Sequence, residues 1–132
     1  MTEVFVDTSF IVALVNRKDQ FHARAVAMAD LYDGRELVTT EAILLEIGNG
    51  LARNFKAEAI EIIENFISAD EVRIVPLDAA LFQKSLALYK SHQDKAWGLI
   101  DCSSFVVMRE LGIVDALTVD HDFKQAGFNM LM

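Results

Sequence analysis

Val4-Phe5-Val6-Asp7-Thr8-Ser9 sets three consecutive apolar residues against an acid and two hydroxyls. A short apolar run rich in Val and Phe reads as a buried strand, and the Asp-Thr-Ser that follows reads as its stop. The pattern returns near the other end, where Ala116-Leu117-Thr118-Val119 precedes Asp120-His121-Asp122. Leu37-Val38-Thr39 and Val72-Arg73-Ile74-Val75 read as two more strands. Pro76 closes the latter at a position that requires no ladder donor.

Helical spacing separates these runs. Phe10 to Val15 predicts a short helix, and 20–33 a longer one with Phe21, Ala25, Met28 and Tyr32 in register and Gly34 as its stop. Thr40 caps a helix over 41–53. A polar-faced helix over 57–69 turns Ile60, Ile63 and Ile67 inward and Glu58, Glu61 and Glu64 outward. Asp78 starts a helix to Tyr89, Lys90 to Gly98 reads as loop, and 99–111 is helical up to Gly112. A turn at His121 to Gln125 leads to a last strand at 128–131. Strands that alternate with helices need crossover connections, so the fold class is α/β, a mostly parallel sheet with helices on both faces. In such sheets functional groups gather beyond the carboxyl ends of the strands, where Asp7 and Asp120 both fall.

The chain of 132 residues is read as one domain, 1–132, and its 53% hydrophobic content suffices for a core. No apolar run approaches the roughly 18 residues of a membrane span. No basic residue precedes Arg17, which argues against a signal peptide, and a lone Cys102 fits a reducing compartment. These features predict a cytoplasmic protein with no membrane association. A net charge of −8 argues against a structural nucleic-acid binder, because phosphate neutralisation by Lys and Arg drives such affinity. It does not argue against a metal-dependent nuclease, whose site requires acids and whose bound cations reverse the local sign.

Four acids carry the candidate chemistry: Asp7, Glu46, Asp101 and Asp120. Taken singly, Asp7 could cap the next helix, Asp101 could serve the dipole of the helix it opens, and Asp120 could be a turn residue. Glu46 is harder to explain as ordinary structure. Ile43, Glu46, Ile47 and Gly50 fall at i, i+3, i+4 and i+7, so this carboxylate borders an apolar stripe. Either a partner such as Arg53 or metal coordination would resolve its desolvation. Converging carboxylates repel, and a divalent oxygen-seeking cation is the usual remedy.

Together these segments resemble the PIN-domain ribonucleases, especially the VapC-type toxins, over nearly the whole chain. Phe5-Val6-Asp7-Thr8-Ser9 resembles the opening motif, and Thr40-Glu41-Ala42-Ile43-Leu44-Leu45-Glu46-Ile47-Gly48-Asn49 the second. Trp97-Gly98-Leu99-Ile100-Asp101-Cys102-Ser103-Ser104-Phe105 resembles the third, and Ala116-Leu117-Thr118-Val119-Asp120-His121-Asp122-Phe123 the last. Gly98 departs from the pattern, which commonly has a small polar residue there, and Asp122 adds an acid beside Asp120.

The resemblance implies a three-layer α/β/α sandwich and an endoribonuclease that hydrolyses RNA phosphodiesters with Mg²⁺ or Mn²⁺. It makes Asp7, Glu46, Asp101 and Asp120 the catalytic acids. The expected division has Asp7 and Asp101 as direct metal ligands and Glu46 and Asp120 acting through water. Thr8, Ser9, Asn49, Asp94 and Asp122 are expected to support them, and Arg53 and Lys56 to contact RNA phosphates. A cognate antitoxin and a homodimer are the expected partners, the latter through the apolar surface of a helix such as 20–33. A catalytically silent PIN-fold interaction module is the alternative, and a phosphotransfer receiver a more distant one, since it needs a lysine where Asp120 stands. His22, His92 and His121 lack metal-ligand spacing, and Trp97 reads as a loop anchor with base stacking as its other role.

Overall fold

The computed structural model describes residues 3–132. Its elements run β1 (Val4–Val6), α1 (Thr8–Val15), α2 (His22–Leu31), β2 (Leu37–Thr40), α3 (Glu41–Gly50), α4 (Lys56–Ser68), β3 (Val72–Val75), α5 (Ala79–Ser91), α6 (Leu99–Leu111), β4 (Asp115–Leu117), α7 (His121–Gln125) and β5 (Asn129–Met130). The five strands form one sheet in the order β3-β2-β1-β4-β5, and every pair is parallel. Seven helices among the described residues flank it, completing the α/β/α sandwich. Among the described residues no helix is long and apolar enough to cross a membrane.

The strand order determines where a site can form. From β1 the chain moves outward through β2 to β3, then returns to the other side of β1 for β4 and β5. The connections therefore diverge between β1 and β4, which opens a crevice at the carboxyl ends of those two strands. Asp7 follows β1 and Thr118 follows β4, and the Asp7 N–H donates to the Leu117 carbonyl across this junction.

Helix starts follow the capping chemistry of the sequence. Asp7, Thr40, Asp78 and Asp120 each accept a backbone N–H at the head of α1, α3, α5 and α7. Gly112, at φ 69°, ends α6 in the left-handed region. The core is built on β1, where Val4, Phe5 and Val6 are all buried, and on a cluster of rings. Phe5, Phe105 and Phe123 are wholly buried, with Phe105 edge-on to Phe123 at 5.0 Å.

The structure departs from the periodicity reading in several places. Ile60 and Ile67, expected inward, are 51% and 65% exposed. Ile63 packs on the core as expected, together with Ile62, Phe66 and the buried Ala59. The helix starts at Lys56, and with isoleucines on two sides the three-four spacing fits more than one face; the neighbouring packing chose between them. The α5 helix runs to Ser91, two residues past Tyr89, and α3 gives way to turns after Gly50. Thr118 and Val119 lie beyond the end of β4.

This distribution separates two apolar residue classes. Phe105→Ala should lower the free energy of unfolding by about 3–5 kcal/mol, the usual cost of emptying a buried aromatic site. Ile67→Ser should change it by no more than about 0.5 kcal/mol. Urea unfolding of the two variants measures both.

Candidate active site

Asp7 is 4% exposed and sits at the head of α1 as its N-cap. Three donors converge on its Oδ2: the Ser9 hydroxyl at 2.7 Å, the Thr118 hydroxyl at 2.8 Å and the Ser9 N–H at 3.4 Å. Each hydroxyl also accepts a backbone N–H, Ser9 from Val119 and Thr118 from Asp120, both at 3.0 Å. One proton per hydroxyl is thus spent on Asp7, and the oxygens fix the path of 118–120. This lattice ties the first turn of α1 to the end of β4. Thr118 does not stand out in the sequence; a hydroxyl closing an apolar strand two residues before an acid is the signal that marks it.

Around this anchor the helices bring the other acids. Glu46, half-buried on α3, accepts from the Thr8 hydroxyl through Oε1. Asp101, half-buried in the first turn of α6, accepts from the Gly98 N–H at 3.0 Å. Gly98 has no side chain with which to accept from the first turn of α6, and the Asp101 carboxylate reaches back to the N-cap N–H instead. Asp120 caps α7 by accepting from the Asp122 N–H at 2.9 Å.

Asp101, Asp120 and Asp122 form the closest group, one carboxylate oxygen from each lying within 4.8 Å of the others. Asn49 is exposed on α3, and Asp94 is exposed and 3.6 Å from Lys95.

The electrostatics record what this convergence costs. Burial raises the Asp7 pKa to about 6, against the lowering effect of the Ser9 and Thr118 hydrogen bonds and with repulsion from Glu46 and Asp120. Burial likewise raises Asp101 to about 7; the Gly98 N–H opposes the rise, and Asp120, Asp7 and Asp122 add to it. Asp122 is raised by burial and then by Asp120. Neither ion pair among the described residues involves these acids. An all-oxygen, cation-free group of this kind fits a hard divalent ion such as Mg²⁺ or Mn²⁺, with Asp101, Asp120 and Asp122 as the residues best placed to hold it.

Both Asp7 and Asp101 bind their protons more tightly folded than unfolded. The stability linked to them is fully present below the ordinary value of 3.8 and is lost as pH rises through about 6 and then about 7. The melting temperature of chelator-treated protein should therefore fall between about pH 4 and about pH 7. Asp101→Asn should flatten that fall, and added Mg²⁺ or Mn²⁺ should offset it in the wild type alone. A pH series by differential scanning fluorimetry tests all three expectations.

Known proteins share this fold. The PIN domain family model matches residues 4–129. The 23S rRNA-specific endonuclease VapC20 of Mycobacterium tuberculosis, in strains CDC 1551 and H37Rv, is 31% identical over 127 residues, 95% of this chain and 95% of its own. The crystal structure of VapC20, described as a sarcin-ricin loop cleaving toxin, superposes with a TM-score of 0.86 at 29% identity over 97% of this chain and 98% of that one. FitAcB from Neisseria gonorrhoeae shares the fold, with a TM-score of 0.66 at 17% identity over 98% of this chain and 96% of its own. The family match runs from the first strand to the last and takes in every acid of the crevice: the chain belongs to the PIN domain family.

Proposed function

We propose that this protein is a metal-dependent endoribonuclease, the toxin of a toxin–antitoxin pair, and that it hydrolyses a phosphodiester in structured ribosomal RNA. The observation that carries the reading is the convergence of Asp101, Asp120 and Asp122 next to the buried Asp7 at the switch point of the sheet. The similarity to a 23S rRNA-specific endonuclease supports the substrate class. A silent interaction module is disfavoured on physical grounds. Uncompensated acids at this depth lower stability, and a module without catalysis gains nothing from them.

In this reading the direct metal ligands are widened from Asp7 and Asp101 to include Asp120 and Asp122, while Glu46 acts through water. A divalent cation, when bound, supplies Lewis acidity to the attacking water and to the phosphoryl oxygens. The protein's own part is to hold the acids in place. Ser9 and Thr118 fix Asp7, Gly98 fixes Asp101, and Thr8 fixes Glu46, so little reorganisation remains when substrate arrives.

With a net charge of −8, affinity for RNA has to come from local cations. Arg53 and Lys56 flank Asn54 and Phe55, which together with Arg17 and Lys18 line a cleft of about 550 Å³ between the α1–α2 loop and the head of α4. None of these four cations is in an ion pair among the described residues. We assign them to the RNA backbone.

The antitoxin is expected to place a basic side chain among the clustered acids. Self-association would cover exposed apolar groups: Val26 and Leu31 on α2, and the stripe of Phe82, Leu86 and Tyr89 along α5. The single cysteine, Cys102, is buried and free, which suits a reducing compartment such as the cytoplasm.

Cleavage of ribosomal RNA by the purified protein tests the central claim, run with Mg²⁺, with Mn²⁺ and with chelator. Asp7→Asn and Asp101→Asn should each lower the rate by about 100-fold or more, and Ser9→Ala by the roughly 10–100-fold typical of an outer-sphere partner. Chelator-resistant cutting, or mutants as active as wild type, would sink the proposal. Replacing both Arg53 and Lys56 with Ser should weaken RNA binding and reduce the salt slope by about 0.7 to 0.9 for each phosphate no longer neutralised.

A further inference from the structure

A second cleft opens on the loop between α5 and α6, which leads into the helix that carries Asp101. Tyr89, Lys90, His92, Gln93, Lys95 and Trp97 line about 500 Å³ of it. Its back wall is aromatic and immobilised from the core outward. Phe123 meets Phe105 edge-on at 5.0 Å, Phe105 meets Trp97 edge-on at 5.1 Å, and Trp97 stacks on His92 at 4.9 Å with 29° between the rings. Trp97 is 6% exposed, so it is the anchor of this column, whereas half-buried His92 carries the column to the surface.

The anchor is tied to both halves of the acidic site. The Trp97 indole donates to Gln125 Oε1 at 2.8 Å, at the end of the helix that Asp120 caps. The next residue, Gly98, donates its N–H to Asp101. The rim of the cleft is cationic, with Lys90 and Lys95; the neighbouring acid, Asp94, lies 3.6 Å from Lys95. Gln93 adds an amide that donates to the Lys90 carbonyl. A rigid ring platform with lysines and an amide around it is the chemistry that binds unpaired bases of RNA by stacking.

We propose that this cleft receives an unpaired nucleobase next to the cleaved phosphodiester, stacked on His92, with the adjoining phosphate held by Lys90 and Lys95. The inference rests on the endoribonuclease reading and adds to it the position that reads the substrate. Because the platform is already ordered by packing, the base meets it without the entropic cost of arranging a loop.

The test pairs RNA and protein changes. A series of hairpins, each with one abasic nucleotide near the cleavage position, is assayed with wild type, His92→Ala and His92→Phe. One abasic position should lower kcat/KM by about 10-fold or more in wild type. The same lesion should cost little further in His92→Ala, and His92→Phe, which keeps a ring, should restore the sensitivity. If His92→Ala retains full sensitivity at every position, the proposal is overturned. His92 Nδ1 also lies 3.2 Å from the Leu88 carbonyl at the end of α5, so matched melting temperatures are required before the comparison is read.

Should wild type cleave neither the unmodified hairpin nor ribosomal RNA, the nuclease reading fails separately. The cleft is then read by binding of a hairpin carrying 2-aminopurine to Asp101→Asn protein. Quenching that disappears with His92→Ala supports the site; equal quenching in both overturns it.

Discussion

Asp7 is a carboxylate taken out of water at the centre of the sheet, with other acids rather than a cation around it. The folded chain meets that difficulty with donors: two hydroxyls and a backbone N–H on one oxygen. Those hydroxyls belong to different elements, Ser9 in α1 and Thr118 after β4, so satisfying Asp7 also joins the two strands between which the site opens. The local lattice that contains the charge is therefore also the lattice that shapes the crevice. Its burial still leaves the proton more tightly held than in water, which is why the metal-free protein and the cation-loaded one are expected to differ in stability.

The remaining acids are delivered by elements with other structural duties. Asp101, in the first turn of α6, accepts the Gly98 N–H, and Asp120 caps α7. Asp101 is the first-turn acid of its ordinary reading and Asp120 is a cap where a turn residue was expected, and neither duty competes with a role in the site. A cap holds its side chain in one orientation at a helix head, and a metal ligand needs the same restraint. The aromatic column from Phe123 to His92 extends this economy, since the packing that fills the core also holds the loop next to Asp101.

Charge is unevenly distributed over the fold. The total of −8 conceals acids gathered at the sheet's carboxyl edge and unpaired cations near α1, α3 and α4. A cation at the acids would invert the local sign, and the separate basic residues would hold the backbone away from the cut. Such a division lets an acidic protein act on RNA while binding nucleic acid weakly in general.

Much of this was legible from the order of residues. Apolar runs ending in acids, alternating with helical spacing, dictate a parallel sheet with Asp7 and Asp120 at its carboxyl edge, because backbone pairing and handed crossovers leave few other arrangements. Caps at Thr40 and Asp78 and the stop at Gly112 were legible too, since those interactions are local. What depended on distance in sequence was not legible. Periodicity could not choose between the isoleucine faces of α4, which the neighbouring elements settled by packing Ile62 and Ile63 and leaving Ile60 and Ile67 outside. Nor could it reveal that Thr118, 111 residues from Asp7, supplies that carboxylate with a donor, or that Asp122 joins Asp101 and Asp120 in one group. Sequence determined which groups the chain carries and at which ends of its elements. Only the tertiary structure decided which of them share one low-dielectric space, because repulsion and hydrogen bonding act over ångströms in the folded molecule and not along the chain.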